Sequence, residues 1–141
     1  MIILDTNVVS EIIRPAPSQQ VLQWVSSRPA LLLYTTSITH AEMLYGMEIL
    51  TKGKRKKALE AALNGMFEED FRNRVLEFDS SCARYFAEIA AGRKAVGRPI
   101  SQFDAQIAAI ARSRKAVLAT RNTADFADCG VKLANPWDSK A

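Results

Sequence analysis

One histidine and two cysteines are all that the 141 residues offer as imidazole or thiolate metal ligands. Cys82 and Cys129 follow no metal-ligand spacing, so a thiolate or imidazole zinc site is excluded and a pair of reduced, buried thiols is expected. His40, the lone histidine, reads as a partly exposed surface residue. No apolar run approaches the roughly 20 residues of a membrane helix, and no lipidation signal is present. No membrane role is expected, and the cytoplasm is the default setting. No stretch reads as a linker, a repeat or a low-complexity tract, so residues 1–141 are expected to form a single domain. Charge of one sign is also scarce: 19 basic and 15 acidic residues leave a net charge of +4, a surplus too small to indicate nucleic acid by itself.

Short apolar runs alternate with amphipathic ones. Ile2 to Leu4, Leu31 to Tyr34, Val75 to Phe78, Ala116 to Ala119 and Val131 to Leu133 have the length of strands buried on both faces. Between the first two, the spacing predicts a short helix from Asn7 to Arg14, stopped by Pro15, and a second over Gln19 to Ser27 behind a Ser18 cap. A third runs to about Leu50, with Ile38, Ala41, Tyr45 and Ile49 along its apolar side. The next covers Arg55 to Phe67, with Ala58, Leu59, Ala62, Leu63 and Met66 inward. A helix from Asp79 to about Val96 is stopped by Gly97. The last, capped by Ser101, runs from Gln102 to about Lys115 with Phe103, Ile107 and Ile110 on its buried face. This alternation predicts an α/β fold, three layers with a central parallel sheet of four to five strands.

Four acids stand out against that frame. Asp5 ends the first strand, where open α/β sheets bind ligands, although taken alone it reads first as a helix N-cap. Glu42 falls within an apolar stripe, a costly place for a carboxylate. Asp104 occupies the third position of its helix, where it also suits a capping box, and Asp125 follows the fourth strand. A parallel sheet brings all four toward the carboxyl edge of its strands. Crowded carboxylates raise one another's pKa, and a divalent cation removes the conflict. Oxygen donors without histidine or thiolate point to Mg2+ or Mn2+.

Basic residues cluster at Lys52 to Lys57, at Arg93, Lys94 and Arg98, and at Arg112, Arg114 and Lys115. Each cluster also suits a solvated helix end.

Taken in order, several segments resemble a PIN domain. They are Met1 to Asn7, Ala41-Glu42 followed by Gly46, Asp104 opening an Ala-rich helix, Thr120-Arg121-Asn122 with Asp125-Phe126, and Asn135-Pro136-Trp137. Within that family they are similar to VapC-type toxins of type II toxin–antitoxin modules, including the FitB branch. The resemblance implies a Mg2+- or Mn2+-dependent endoribonuclease cleaving structured RNA such as tRNA or rRNA, held inactive by a cognate antitoxin. It also implies a homodimer, and promoter DNA bound only through the antitoxin. Asp5 and Asp104 would be the principal metal ligands, with Glu42 completing the set or placing the water. Either Asp125 or Asn122 would take the fourth position. Thr6, Asn7, Thr120 and Asn122 would support the ligands. Lys52, Lys54, Arg55, Arg93 and Arg98 would steer the RNA backbone. A rival reading is a regulatory binding subunit, whose acidic pocket receives a partner's arginine in a DNA-binding complex with little nuclease activity.

Overall fold

Five parallel strands form one sheet in the computed structural model, which describes residues 1–138. The last three residues of the expected domain lie outside the described ones. The strands are β1 (Ile2–Leu4), β2 (Leu33–Thr36), β3 (Val75–Leu76), β4 (Val117–Ala119) and β5 (Lys132–Ala134). Their order is β3-β2-β1-β4-β5. The chain therefore builds outward from β1 on one side, then returns and builds outward on the other. β1 and β4 flank the point where that direction reverses, with Ile3 opposite Leu118 and Leu4 opposite Ala119. Crevices for ligands open at such a switch point, outside the carboxyl ends of the strands.

Successive strand side chains alternate between two cores, which makes the domain three-layered. Ile3 and Leu118 pack in one core with α5 (Ser80–Ala95) and α6 (Gln102–Ser113). Leu4 and Ala119 pack in the other. Against that second face lie α1 (Thr6–Ile12), α2 (Gln19–Ser26), α3 (Ser37–Glu48) and α4 (Lys54–Gly65). The helix stops follow the local chemistry. Ser18 Oγ accepts from the Val21 N–H, and Gly97 at φ +73° ends α5 in the left-handed conformation that glycine adopts without a Cβ clash. Both cysteines are buried and free. His40 is half-buried and stacks on Phe67, with ring centroids 4.0 Å apart.

Three expected faces turn out otherwise. Tyr45 and Ile49 of the expected α3 stripe are 68% and 66% exposed, while Thr39 and Met47 are buried and Met43 packs on the core. Thr39, Met43 and Met47 have the same i, i+4, i+8 spacing, but the threonine breaks the apolar pattern, so periodicity selected the wrong side. In α6, Ile107 and Ile110 are buried as expected, with Ala105, Ala108, Ala109 and Ala111 beside them, but Phe103 is exposed. In α4, Leu63 is buried but Ala58 and Ala62 are exposed and line a groove. Beyond Gly65 the helix widens into a π turn, Met66–Asp70, that turns Met66 and Phe67 into the core.

A carboxylate cleft at the switch point of the sheet

Asp5 emerges from β1 with 4% of its surface exposed, and its main-chain N–H bonds to Ala119 O of β4 at 2.9 Å. It is the N-cap of α1: Oδ1 accepts from the Thr6 N–H at 2.8 Å. Its other oxygen, Oδ2, faces across the switch point, where the Thr120 hydroxyl donates to it at 2.8 Å and Asn7 Nδ2 at 3.3 Å. Thr120, fully buried just past β4, also accepts from the Asn122 N–H at 3.1 Å, and Asn7 Oδ1 accepts from the Arg121 N–H at 3.2 Å. These bonds lock the two strand ends together and leave the Asp5 carboxylate little freedom. The chain's closing motif braces the same loop: Asn135 Nδ2 donates to Arg121 O at 3.5 Å, and the Arg121 guanidinium lies 5.0 Å from the Trp137 ring centroid.

Glu42 joins from α3. Thr6 Oγ1 donates to its Oε1 at 2.8 Å and lies 3.0 Å from Thr39 Oγ1. A hydroxyl has one proton, so Thr39 must be the donor to Thr6 when Thr6 serves Glu42. Thr39 belongs to the site, and sequence reasoning missed it: within the run Thr35 to Thr39 it read only as one of several caps. Asp104 enters from the first turn of α6, whose cap is Ser101; the Ser101 Oγ accepts from the Asp104 N–H at 3.2 Å.

The electrostatics show which acids share the cleft. Burial pushes Asp5 up to about 6 from the usual 3.8, against the Thr120 hydroxyl and the Thr6 N–H, and the Asp104 and Glu42 charges add to the rise. Burial also raises Glu42, with Asp104 adding to it. Asp104 is raised by burial and by the Asp125 charge, opposed by the Ser101 hydroxyl and by Arg93. Asp5, Glu42 and Asp104 thus form one interacting set. Asp125, exposed on the 3-10 turn Thr123–Phe126, reaches that set through Asp104. Asn122 is exposed and takes part through its main-chain N–H.

Among the described residues, no three His, Cys, Asp or Glu side chains are gathered closely enough to cage a metal by themselves. Mg2+ needs no such cage, since it keeps several waters and is commonly held by one or two carboxylates with substrate phosphate. The donor set fits it: carboxylate oxygens only, each made harder to ionise by burial and, to a smaller extent, by a neighbouring negative charge.

Arg93 is not a surface cation available to RNA. It is 5% exposed; its Nε donates to Arg98 O at 2.7 Å, and its Nη1 to Asp125 O at 2.7 Å and Ala127 O at 3.0 Å. A planar guanidinium with five donors can tie three carbonyls at once, and here it fastens the Asp125 segment to the end of α5. Arg98 is exposed, bonded to Asp128 at 3.4 Å. Lys52 and Lys54 are exposed in the turn before and at the start of α4. Arg55 lines a groove of about 710 Å³ that reaches Thr6 and Glu42 at the cleft and includes Ile13, Met43 and Leu59. None of the described helices is long and apolar enough to cross a membrane.

Sheet order and cleft together define a three-layer α/β domain with an acidic site at its switch point. The chain belongs to the PIN domain family, whose model matches residues 2–132. It is 36% identical over 138 residues to "VapC ribonuclease Y4jK" of Sinorhizobium fredii, covering 98% of this chain and 99% of the relative. It is 38% identical over 137 residues to "Toxin FitB" of Neisseria gonorrhoeae, covering 97% and 99%. A solved structure, "Structure of FitAB bound to IR36 DNA fragment", superposes with a TM-score of 0.91 at 38% identity, covering 98% of this chain and 96% of that one.

Proposed function

We propose that this chain is a ribonuclease toxin that hydrolyses RNA phosphodiester bonds with Mg2+ or Mn2+ and is neutralised by a cognate antitoxin. The observation that carries the reading is the buried Asp5 carboxylate at the switch point of a PIN sheet, held by Thr120, Asn7 and the Thr6 N–H, with Glu42 bonded to the hydroxyl of the same Thr6 and the Asp104 charge acting on both. The kinship to a VapC ribonuclease and to a FitB toxin supports the same reading.

Asp5, Asp104 and Glu42 would hold the cation. A cation held by these residues would supply a water of lowered pKa and positive charge opposite the developing charge on the phosphate. The chain's own part is preorganisation. Thr120 and Asn7 hold Asp5 Oδ2 in place, and Thr39 and Thr6 hold Glu42. Asp125, fastened by Arg93, keeps a negative charge beside Asp104. Lys52, Lys54 and Arg55 offer the RNA backbone positive charge near an otherwise repulsive cleft.

The antitoxin would occupy the groove between α1, α3 and α4, an apolar trench with Glu42 at one end. An amphipathic segment fits such a groove, and a cationic side chain at its end would meet the carboxylates. Promoter DNA would then be bound through the antitoxin, and the toxin would act as a cytoplasmic homodimer.

The test is to express the chain alone and sequence the RNA ends it produces. Growth arrest and new ends that vanish in Asp5→Asn and Asp104→Asn, and under chelation, are expected. Cleavage that survives both variants or the chelator refutes the metal site. Absence of cleavage by the purified wild-type chain, with complex formation intact, favours the binding-subunit reading instead.

A further inference from the structure

A second concave site lies at the opposite edge of the sheet, where β4 and β5 begin. It is a pocket of about 370 Å³ lined by Tyr85, Arg112, Lys115, Gly130 and Lys132, with Ala111 and Ala116 at its floor. Three cations from two segments line it: Arg112 in the last turn of α6 with Lys115 just beyond its end, and Lys132 at the start of β5.

The pocket is built rather than incidental. Arg112 Nη2 pairs with Glu88 at 3.3 Å, and its guanidinium sits 5.1 Å from the Tyr85 ring centroid, so its head is held from two sides. Gly130, at φ +71°, packs against that guanidinium: a Cβ there would stand 3.2 Å from Arg112 Nε. Lys115 is the most telling residue. It occupies φ +52° immediately past the C-cap of α6, a left-handed position that favours glycine and strains a lysine. The chain thus tolerates backbone strain at a position where a lysine lines a pocket that two other cations also line. The helix dipole accounts for cations at the end of α6, but not for Lys132, which belongs to a strand.

We infer that this pocket is an oxyanion site that takes a phosphate group, outside the catalytic cleft. The ribonuclease reading supplies one source, a backbone phosphate of the RNA as it passes around the domain; free phosphate or a phosphorylated small molecule is the other. The site itself does not depend on that reading, and only its assignment to RNA does. β4 is three residues long, so at about 3.3 Å per residue the two edges are about 10 Å apart, a span that a few nucleotides cover.

The first measurement is titration of the full chain with inorganic phosphate at fixed ionic strength, followed by NMR at the Gly130 and Lys132 amides. Saturable shifts are expected, weakened about tenfold by Lys132→Gln and by Lys115→Gly, the effect of losing one charge-assisted hydrogen bond. Lys115→Gly carries a second readout. Relief of the left-handed strain raises its melting temperature, so weaker phosphate binding in a more stable protein cannot come from damage to the fold. Unsaturable shifts, or wild-type affinity in both variants, overturn the site.

The second measurement is binding of a structured RNA to the Asp5→Asn chain. Weaker binding and a shallower salt dependence in Lys132→Gln assign the site to RNA; unchanged RNA binding with weakened phosphate binding assigns it to a free phosphate ligand. Failure of the wild-type chain to cleave RNA refutes the ribonuclease reading alone and leaves the phosphate titration standing.

Discussion

Replacing Asp5 by Asn should make the metal-free protein more stable, because the native carboxylate is held against its own charge. With its pKa at about 6 rather than 3.8, the ionised form costs about 3 kcal/mol near neutral pH. The amide removes that cost but loses part of its gain. Its NH2 at the Oδ2 position would meet two groups that now donate there, the Thr120 hydroxyl and Asn7 Nδ2, a loss of about 1 kcal/mol. The net expectation is about 2 kcal/mol in favour of the variant, or on the order of 6 °C in melting temperature for a domain of this size.

The sign of the pH dependence follows from the raised pKa. Folded Asp5 keeps its proton through a range in which the unfolded residue has lost it, so wild-type stability falls as pH rises from about 4 to 6 and levels off above. The variant's advantage should therefore be complete at pH 7.5 and absent at pH 4. Urea denaturation in EDTA at the two pH values measures it. Added Mg2+ should raise the wild type's stability and leave the variant's nearly unchanged. A variant no more stable than wild type at pH 7.5, or an advantage equal at both pH values, would refute the reasoning that Asp5 carries the strain of the cleft.

Arg93→Met should destabilise the fold by about 3 kcal/mol, since it leaves the carbonyls of Arg98, Asp125 and Ala127 without their donor; a change below about 0.5 kcal/mol in chemical denaturation would show that the clamp is unimportant. Thr120→Val removes the hydrogen bond that holds Asp5's pKa down, so the acid limb of the pH–cleavage profile should move to higher pH. A limb that stays in place, or moves to lower pH, would mean that Asp5's ionisation does not govern activity.

The sequence by itself determined the layered α/β plan, because strand-length apolar runs and helix-length periodic ones leave few other ways to bury both. It also marked Asp5, Glu42 and Asp104, since a carboxylate at a strand end, in an apolar stripe or at a helix opening is chemically conspicuous. Tertiary structure alone decided what surrounds them: only the β1–β4 pairing brings Asp5 to Thr120. It also decided which side of α3 is core, where Thr39 hid the true stripe and left Tyr45 and Ile49 exposed. Arg93 shows the limit most plainly. A sequence displays the charge of a guanidinium but not the carbonyls around it, and those turn a residue expected to steer RNA into a buried tie. Local pattern records what a side chain prefers; which partners satisfy it is set when distant segments pack.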